Sequence, residues 1–291
     1  MQLFLKELRR ELQINNCEFF VSSFEEVELF LEKGQAEIAI AGKPLETWST
    51  IYPRKVGEYK SFAHILSLVA KGKDIFFIDQ FHEDAKDSSD AAKIIQMFHL
   101  ATAGISIPKT YYATTYSDYQ LKNAVAYLGL PIVIKECHTS QGAGVFLAKD
   151  SASLKKIIHE RLSVGEKKEI FLQEFISNNY EYRFLVTGNA VAVAEKKIRA
   201  KTEEFRNNVH LGATEEFLAL STINKKFSKE ALLAAKITRV QIAGVDVVEG
   251  KNGQPVILEV NSCPALTLDS KISNEINQLA KYLSTCETRK K

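Results

Sequence analysis

The sequence has 291 residues, 45% hydrophobic and 25% charged, with 38 Lys plus Arg against 36 Asp plus Glu for a formal charge of +2. That balance excludes a low-complexity, collagenous or wholly disordered chain and gives no broad electrostatic pull on nucleic acid. No apolar run approaches the ~18 residues that a membrane span needs. Cys17, Cys137, Cys263 and Cys286 lie far apart with no Cys-x-x-Cys pair. This suits free thiols in a reducing compartment better than a disulfide frame or zinc site. Lys6, Glu7, Arg9, Arg10 and Glu11 alternate with leucine where a signal peptide would be apolar, so a cytoplasmic location is expected. The basic run Arg289-Lys290-Lys291 reads as a frayed tail.

Leu5, Leu8 and Leu12 recur at helical spacing and predict an opening helix. Glu18 to Ser22 reads as a short strand. Ser23 and Glu26 form a capping box ahead of a helix that Gly34 closes. Ala36 to Ala41 and Asp74 to Asp79 read as further strands. The polar stretch Glu83 to Asp90 reads as a linker between an N-terminal domain (1–87) and a second domain (88–291). Past it, Ala91 to Ala103 predicts a helix ended by Gly104, with Pro108 beyond. Ser117 with Gln120 opens another helix, closed by Gly129 and Pro131. Ile132 to Lys135 and Val145 to Ala148 are strands around a Gly-rich turn, and Ser151 to Leu162 is helical. Ile170 to Ile176 and Phe184 to Glu195 read as strands. Arg199 to Ala213 shows neither period. Ser228 caps a helix running to about Ala243, and Gly244 to Val248 and Val256 to Asn261 are the last strands. Ile272, Ile276, Leu279 and Leu283 mark one face of a closing helix. Helices interleaved with hairpin-linked strands predict an α/β chain, α+β in its C-terminal part, with antiparallel pairing there.

The last two strands carry the most informative pattern. Asn252-Gly253 is a hairpin-turn signal. A turn centred there, with an even number of loop residues, sets Asp246 directly opposite Glu259 with Cα atoms ~4.5–5.5 Å apart. Like charges so placed destabilise a sheet. A divalent cation would reverse that cost, and Asn261, two residues past Glu259, puts an amide oxygen on the same face. Three oxygen ligands with open positions suit magnesium, with manganese as an alternative. A solvent-facing polar edge with a raised carboxylate pKa reads the same residues without a metal.

Two further segments bear chemistry. Lys135 ends a strand that leads into Thr139-Ser140-Gln141-Gly142-Ala143-Gly144, whose small residues could fold backbone N–H groups over phosphate oxygens beside the lysine. No Walker A loop occurs, and a strand rather than a helix follows the glycines, so the dinucleotide fingerprint is absent. A plain glycine hairpin with an exposed lysine fits equally well. Arg199, Lys201, Arg206, Asn207, Asn208 and His210 crowd one polar segment, which either is solvated or faces an anion.

Together these pieces resemble the ATP-grasp superfamily, and within it the RimK-like carboxylate–amine ligases. The resemblance runs from about Ser88 to the last strands. It rests on Lys93, Lys135 with Thr139 to Gly142, Gln173-Glu174-Phe175-Ile176, Glu181-Tyr182-Arg183, and Arg199-Ala200-Lys201. The specific motifs are Phe205-Arg206-Asn207-Asn208-Val209-His210, Ala243 to Asp246, and Leu258 to Ser262. Tyr52 to Gly57 more weakly resembles a Pro-Arg-x-Gly motif of the family's N-terminal domain. The resemblance implies an ATP-grasp fold, two α/β lobes (roughly 88–172 and 173–291) sandwiching ATP, preceded by a small α/β domain. It implies that Lys93, Lys135, Ser140, Gln141 and Gly142 meet the nucleotide and its phosphates, together with Arg199 and Asn207. Glu174, Phe175 and Ile176 would hold adenine largely through backbone groups, Glu181 the ribose, and Gln173 would also contact the nucleotide. Asp246, Glu259 and Asn261 would ligate magnesium. Arg206, Asn208 and His210 would serve the transferring phosphoryl group. The implied activity is ATP-dependent ligation of a carboxylate to an amine through an acyl phosphate, on an amino acid or peptide, releasing ADP and phosphate. No nucleic acid or membrane partner is implied, and a homo-oligomer is left open. Leu211 stands where the family usually has arginine, and Glu181 where aspartate is frequent. Leu211 and the atypical N-terminus leave open an ATP-binding regulatory or scaffold module without turnover.

Overall fold

The structure, a computed structural model, describes residues 2–84, 93–137, 139, 144–162, 169–199 and 213–287. Part of the expected linker and most of the Arg199 to Ala213 segment lie outside the described residues. So do Ser140, Gln141, Gly142, Arg206, Asn207, Asn208, His210 and Leu211.

Helix α1 (Gln2–Ile14) buries Leu8 and Leu12, as their spacing predicts. Residues 17–23 have no strand assignment, contrary to the expected strand at Glu18 to Ser22. Cys17 and Phe19 pack instead against the cluster around α1, and Phe20 stacks on Trp48 at 4.9 Å. Glu26 accepts the Ser23 N–H at 3.2 Å, as the capping box requires. That box holds only the single 3-10 turn Phe24–Glu26. The chain then enters a meander of β1 (Val27–Glu32), β2 (Gln35–Ile40) and β3 (Lys43–Pro44) rather than the expected helix. Gly34, at φ 83°, turns the first hairpin, which pairs Val27 with Ile40 and Glu32 with Gln35. The period-two alternation at Val27 and Leu29, set against Ile38 and Ile40, outweighed the local cap. Strand β4 (Thr50–Ile51) runs parallel to β5 (Phe76–Phe77). Helix α2 (Lys60–Gly72) forms their crossover and buries Ala63, Leu66 and Ala70. Helix α3 (Phe81–Asp84) is one turn long.

Helix α4 (Lys93–Thr102) stops before Gly104, which takes φ 81°. A four-stranded antiparallel sheet follows, built from β6 (Thr110–Tyr112), β7 (Ile132–Glu136), β8 (Val145–Ala148) and β9 (Ile170–Glu174) in the order β6-β9-β7-β8. Helices α5 (Asp118–Leu128) and α6 (Ser151–Leu162) cover one face. They bury Leu121, Leu128, Leu154 and Ile158 against Ile132, Ile134, Ile170 and Leu172. The Ser117–Gln120 capping box and Gly129 bound α5 where the sequence predicts.

The second sheet is β10 (Tyr180–Thr187), β11 (Ala190–Ile198), β12 (Thr214–Leu218), β13 (Ile242–Glu249) and β14 (Pro255–Asn261), in the order β12-β11-β10-β13-β14. The expected run from Phe184 to Glu195 is two strands, divided at Gly188 (φ 60°). Helix α7 (Lys225–Ile237) is capped by Asn224, whose side chain accepts the Lys226 N–H at 3.0 Å. Ser228 lies inside the helix and bonds back to the Lys225 carbonyl. Phe227, Ala231 and Ala234 of α7 pack on Phe184, Val245, Val247 and Ile257 of this sheet. Helix α8 (Glu275–Glu287) buries Ile276, Leu279 and Leu283, whereas Ile272 precedes it and is exposed. One apolar cluster unites Leu8 and Leu12 of α1 with that stripe of α8.

Candidate active site

The site grows from strand alternation. With α7 taking up the Phe184–Val245–Val247 face, the intervening residues of the second sheet point to its other side. Cross-strand register aligns Glu195 with Arg183, Arg183 with Asp246, and Asp246 with Glu259, so one row of charges crosses β11, β10, β13 and β14. A second pair, Glu181 and Lys197, sits opposite across β10 and β11.

Asp246 and Glu259 are directly opposed, but not by the expected route. The loop spans five residues, 250–254, so pairing begins one residue out of step, with Val247 opposite Ile257. A bulge at Leu258 restores the alignment in time for Asp246 to meet Glu259 and Gly244 to meet Asn261. The bulge also frees the Leu258 carbonyl, which accepts the Lys135 ammonium at 3.4 Å. Lys93 Nζ lies 3.6 Å from Glu259 Oε1. Lys135 of the first sheet and Lys93 of α4 therefore converge on the charged row of the second sheet.

Asp246 has a fixed partner. Arg183 Nε donates to Oδ1 at 2.7 Å and Arg183 Nη2 to Oδ2 at 2.8 Å. Lys197 Nζ stands 3.9 Å from Asp246 and 3.8 Å from Glu181. Burial pushes the Asp246 carboxyl upward, but Arg183 and Lys197 outweigh it and hold the group at about 2. Burial lowers Lys135 to about 8, against the pull of Glu259. Burial raises Glu195 to about 8. Asn261 Oδ1 accepts the Cys263 N–H at 2.9 Å, shaping the turn after β14. Arg54 Nη2 donates to the Pro264 carbonyl at 2.6 Å, tying the N-terminal part to that turn.

Gln173, Glu174, Phe175 and Ile176 cluster at the end of β9. Gln173 lies in register with Val133, on the same face of the first sheet as Lys135. Its Nε2 donates to Thr110 Oγ1 at 2.9 Å, while Oε1 is buried with no hydrogen-bond partner among the described residues. A buried acceptor left open fits an amino donor from a bound base. Glu174 is turned elsewhere, with its carboxylate accepting the Lys109 N–H at 2.9 Å. The Phe175 N–H donates to Pro131 O at 3.3 Å, and Ile176 O accepts from Asn178. Arg199 Nη2 donates to Asn178 Oδ1 at 3.0 Å, next to that strip. Among the described residues no group of three or more His, Cys, Asp or Glu side chains gathers for a metal. The donor set at β13–β14 is instead two carboxylates and an amide, which is chemistry for a hard cation shared with phosphate oxygens. Arg183, Glu195 and Lys197 were given no role from the sequence. Their signal was there, as charges spaced by two within otherwise apolar strands.

Two sheets meeting over a charged row, with lysines from one side and carboxylates from the other, define the ATP-grasp ligase class. The ATP-grasp ligase PsnB, solved with minimal precursor, Mg and ADP, has the same fold with a TM-score of 0.73 at 16% identity, covering 98% of this chain and 94% of that one. The family model of the RimK-like ATP-grasp domain matches residues 88–284. A probable alpha-L-glutamate ligase of Vibrio atlanticus (strain LGP32) is 32% identical over 243 residues, 82% of this chain and 76% of the relative. A probable alpha-L-glutamate ligase 2 of Shewanella sp. (strain W3-18-1) is 31% identical over 264 residues, 90% and 84% of the two chains. The chain belongs to the RimK-like ATP-grasp family and is a ligase that forms carbon–nitrogen bonds. Among the described residues no helix is long and apolar enough to cross a membrane.

Proposed function

We propose that the protein joins a carboxylate to the amine of an amino acid or peptide through an acyl phosphate. L-glutamate, the amino acid in the relatives' names, is the first amine to test. The carboxylate oxygen attacks the γ-phosphorus of ATP and ADP leaves. The amine nitrogen then attacks the acyl carbon, phosphate leaves, and the amine proton passes to solvent. The observation that carries this reading is the facing of Asp246 and Glu259 beneath Lys93 and Lys135.

Phosphoryl transfer asks a protein for alignment and charge more than for covalent help. Lys93 and Lys135 would neutralise phosphate oxygens, and Gln173 would read the base. Glu181 would hold the ribose, and the backbone of Glu174 to Ile176 would flank adenine. Asp246, Glu259 and Asn261 would hold magnesium, or manganese in its place. When bound, the cation supplies Lewis-acid charge across the phosphate oxygens. Ser140, Gln141, Gly142 and Asn207 are assigned to the phosphates, and Arg206, Asn208 and His210 to the transferring group, on their motifs alone. Residues 1–87 are assigned to a separate domain ahead of lobes 88–172 and 173–291. A distinct core of Ile38, Ile40, Leu66 and Phe77 supports that division for the β1–β5 part, while α1 shares its core with α8.

Three measurements test the assignment. A screen of amino acids and short peptides should show ADP release that requires both a carboxylate and an amine, with glutamate among the productive amines. Lys135→Ala should weaken ATP binding about 10–100-fold, as expected for a lost charge-assisted hydrogen bond, and leave AMP binding nearly unchanged. Equal losses for ATP and AMP would remove Lys135 from the phosphates. Arg206→Ala should lower kcat about 100-fold with little change in ATP affinity, since its charge is needed where charge develops. The reverse pattern would assign Arg206 to ground-state binding.

A further inference from the structure

Arg183 is the best-held cation in the site and has no part in the scheme above. Its guanidinium grips both oxygens of Asp246, at 2.7 and 2.8 Å. The side chains of this pair are 18% and 10% exposed, so solvent screens the pair little. An ionised carboxylate offers about four lone-pair sites, and this fork occupies one on each oxygen. Lys197 Nζ lies 3.9 Å from the same Oδ1, and Glu259 is the next residue of the row. Lysines stand near the other carboxylates at longer range. Lys197 stands between Glu181 and Asp246, Lys93 lies against Glu259, and Lys135 lies above the bulge. With Glu195 raised to about 8 and so largely protonated near neutral pH, Lys93, Lys135, Arg183 and Lys197 stand against the charges of Glu181, Asp246 and Glu259. A divalent cation entering alone would meet no net negative charge. The same cation arriving with a polyphosphate brings its own anion.

Building on the magnesium reading of Asp246 and Glu259, we propose that Arg183 is a positioning residue that makes cation uptake conditional on nucleotide. It fixes the plane of the Asp246 carboxylate for a cation and cancels its charge, so that free magnesium finds no site. The cation enters only with the phosphates. A guanidinium suits this task and an ammonium does not, because only the planar fork both neutralises and orients a carboxylate.

The test is calorimetric titration of the full chain with MgCl2 alone, and with ADP in the presence and absence of MgCl2, alongside steady-state kinetics. The wild type should give no binding heat with millimolar MgCl2 alone, while MgCl2 should tighten ADP at least tenfold. Arg183→Gln removes the fork from Asp246 and leaves it only the more distant Lys197. It should bind MgCl2 without nucleotide, and the Arg183→Gln, Asp246→Asn double variant should lose that binding again. Arg183→Lys keeps the charge but not the fork. It should stay silent to MgCl2 alone, lose at least tenfold in kcat and change KM for ATP less than threefold. This variant decides the matter if Arg183→Gln does not fold. Tight binding of MgCl2 by the nucleotide-free wild type would overturn the proposal. So would a folded Arg183→Gln silent to MgCl2, or an Arg183→Lys with wild-type kcat. If Asp246→Asn alone leaves the magnesium dependence of ADP binding intact, the magnesium reading itself fails, an outcome separable from each of these.

Discussion

Asp246→Asn combined with Glu259→Gln is expected to abolish magnesium-dependent nucleotide binding and cut turnover by about a thousandfold or more. A positioned cation contributes several kcal/mol to a developing phosphoryl charge, and each 1.36 kcal/mol is tenfold in rate. The substitutions remove both of the proposed negative ligands while keeping their shape. Folding must be checked separately, because Asp246→Asn strands Arg183, and leaving half of a buried pair costs about 3–5 kcal/mol. Glu259→Gln alone avoids this, since the Arg183–Asp246 pair survives and only the Lys93 contact is lost. A magnesium titration of ADP binding on the single and double variants decides the point. Wild-type magnesium dependence in a folded double variant would exclude these side chains as ligands.

Asp79→Asn is expected to change how stability depends on pH. Asp79 is 4% exposed, and its Oδ1 accepts the N–H groups of Gln241 at 2.7 Å and Ile242 at 3.0 Å, fastening the start of β13. Burial raises its carboxyl to about 7, against the pull of those two donors. The folded chain thus keeps a proton that the unfolded chain releases near pH 4. Between those values the native state binds more protons, so stability is highest at the acidic end and falls as pH rises towards 7, by roughly 2–4 kcal/mol. Asparagine keeps an oxygen for both N–H groups and carries no charge at any pH. The variant should therefore match the wild type near pH 5 and melt higher at pH 8, by roughly 3–7 °C for a chain of this size. Melting curves at the two pH values give the answer, and parallel shifts in both proteins would refute it.

Local signals were legible in the sequence where one segment decides its own shape. Helix α5 carries its capping box and terminal glycine, and α6 and the β7–β8 pair follow their runs of apolar residues. The same kind of signal misled at Ser23–Glu26, since a capping box is a property of one turn and cannot tell whether a helix follows. The pairing of Asp246 with Glu259 was read from an even loop, which the chain does not have. A five-residue loop and the bulge at Leu258 offset each other, and neither can be told from composition. The Glu195–Arg183–Asp246–Glu259 row needed four strands placed side by side. Spacing within each strand shows only that a charge faces one way, not which charge will be its neighbour.

The shared apolar cluster of α1 and α8 bears on how the protein is made. Leu8 and Leu12 leave the ribosome early, but Ile276, Leu279 and Leu283, which cover them, are translated more than 260 residues later. At roughly 5–20 residues per second the first helix waits some 15–50 s with its leucine stripe uncovered. A nascent chain stalled before α8 should thus be a chaperone client, and one whose α8 is free to dock on α1 should not.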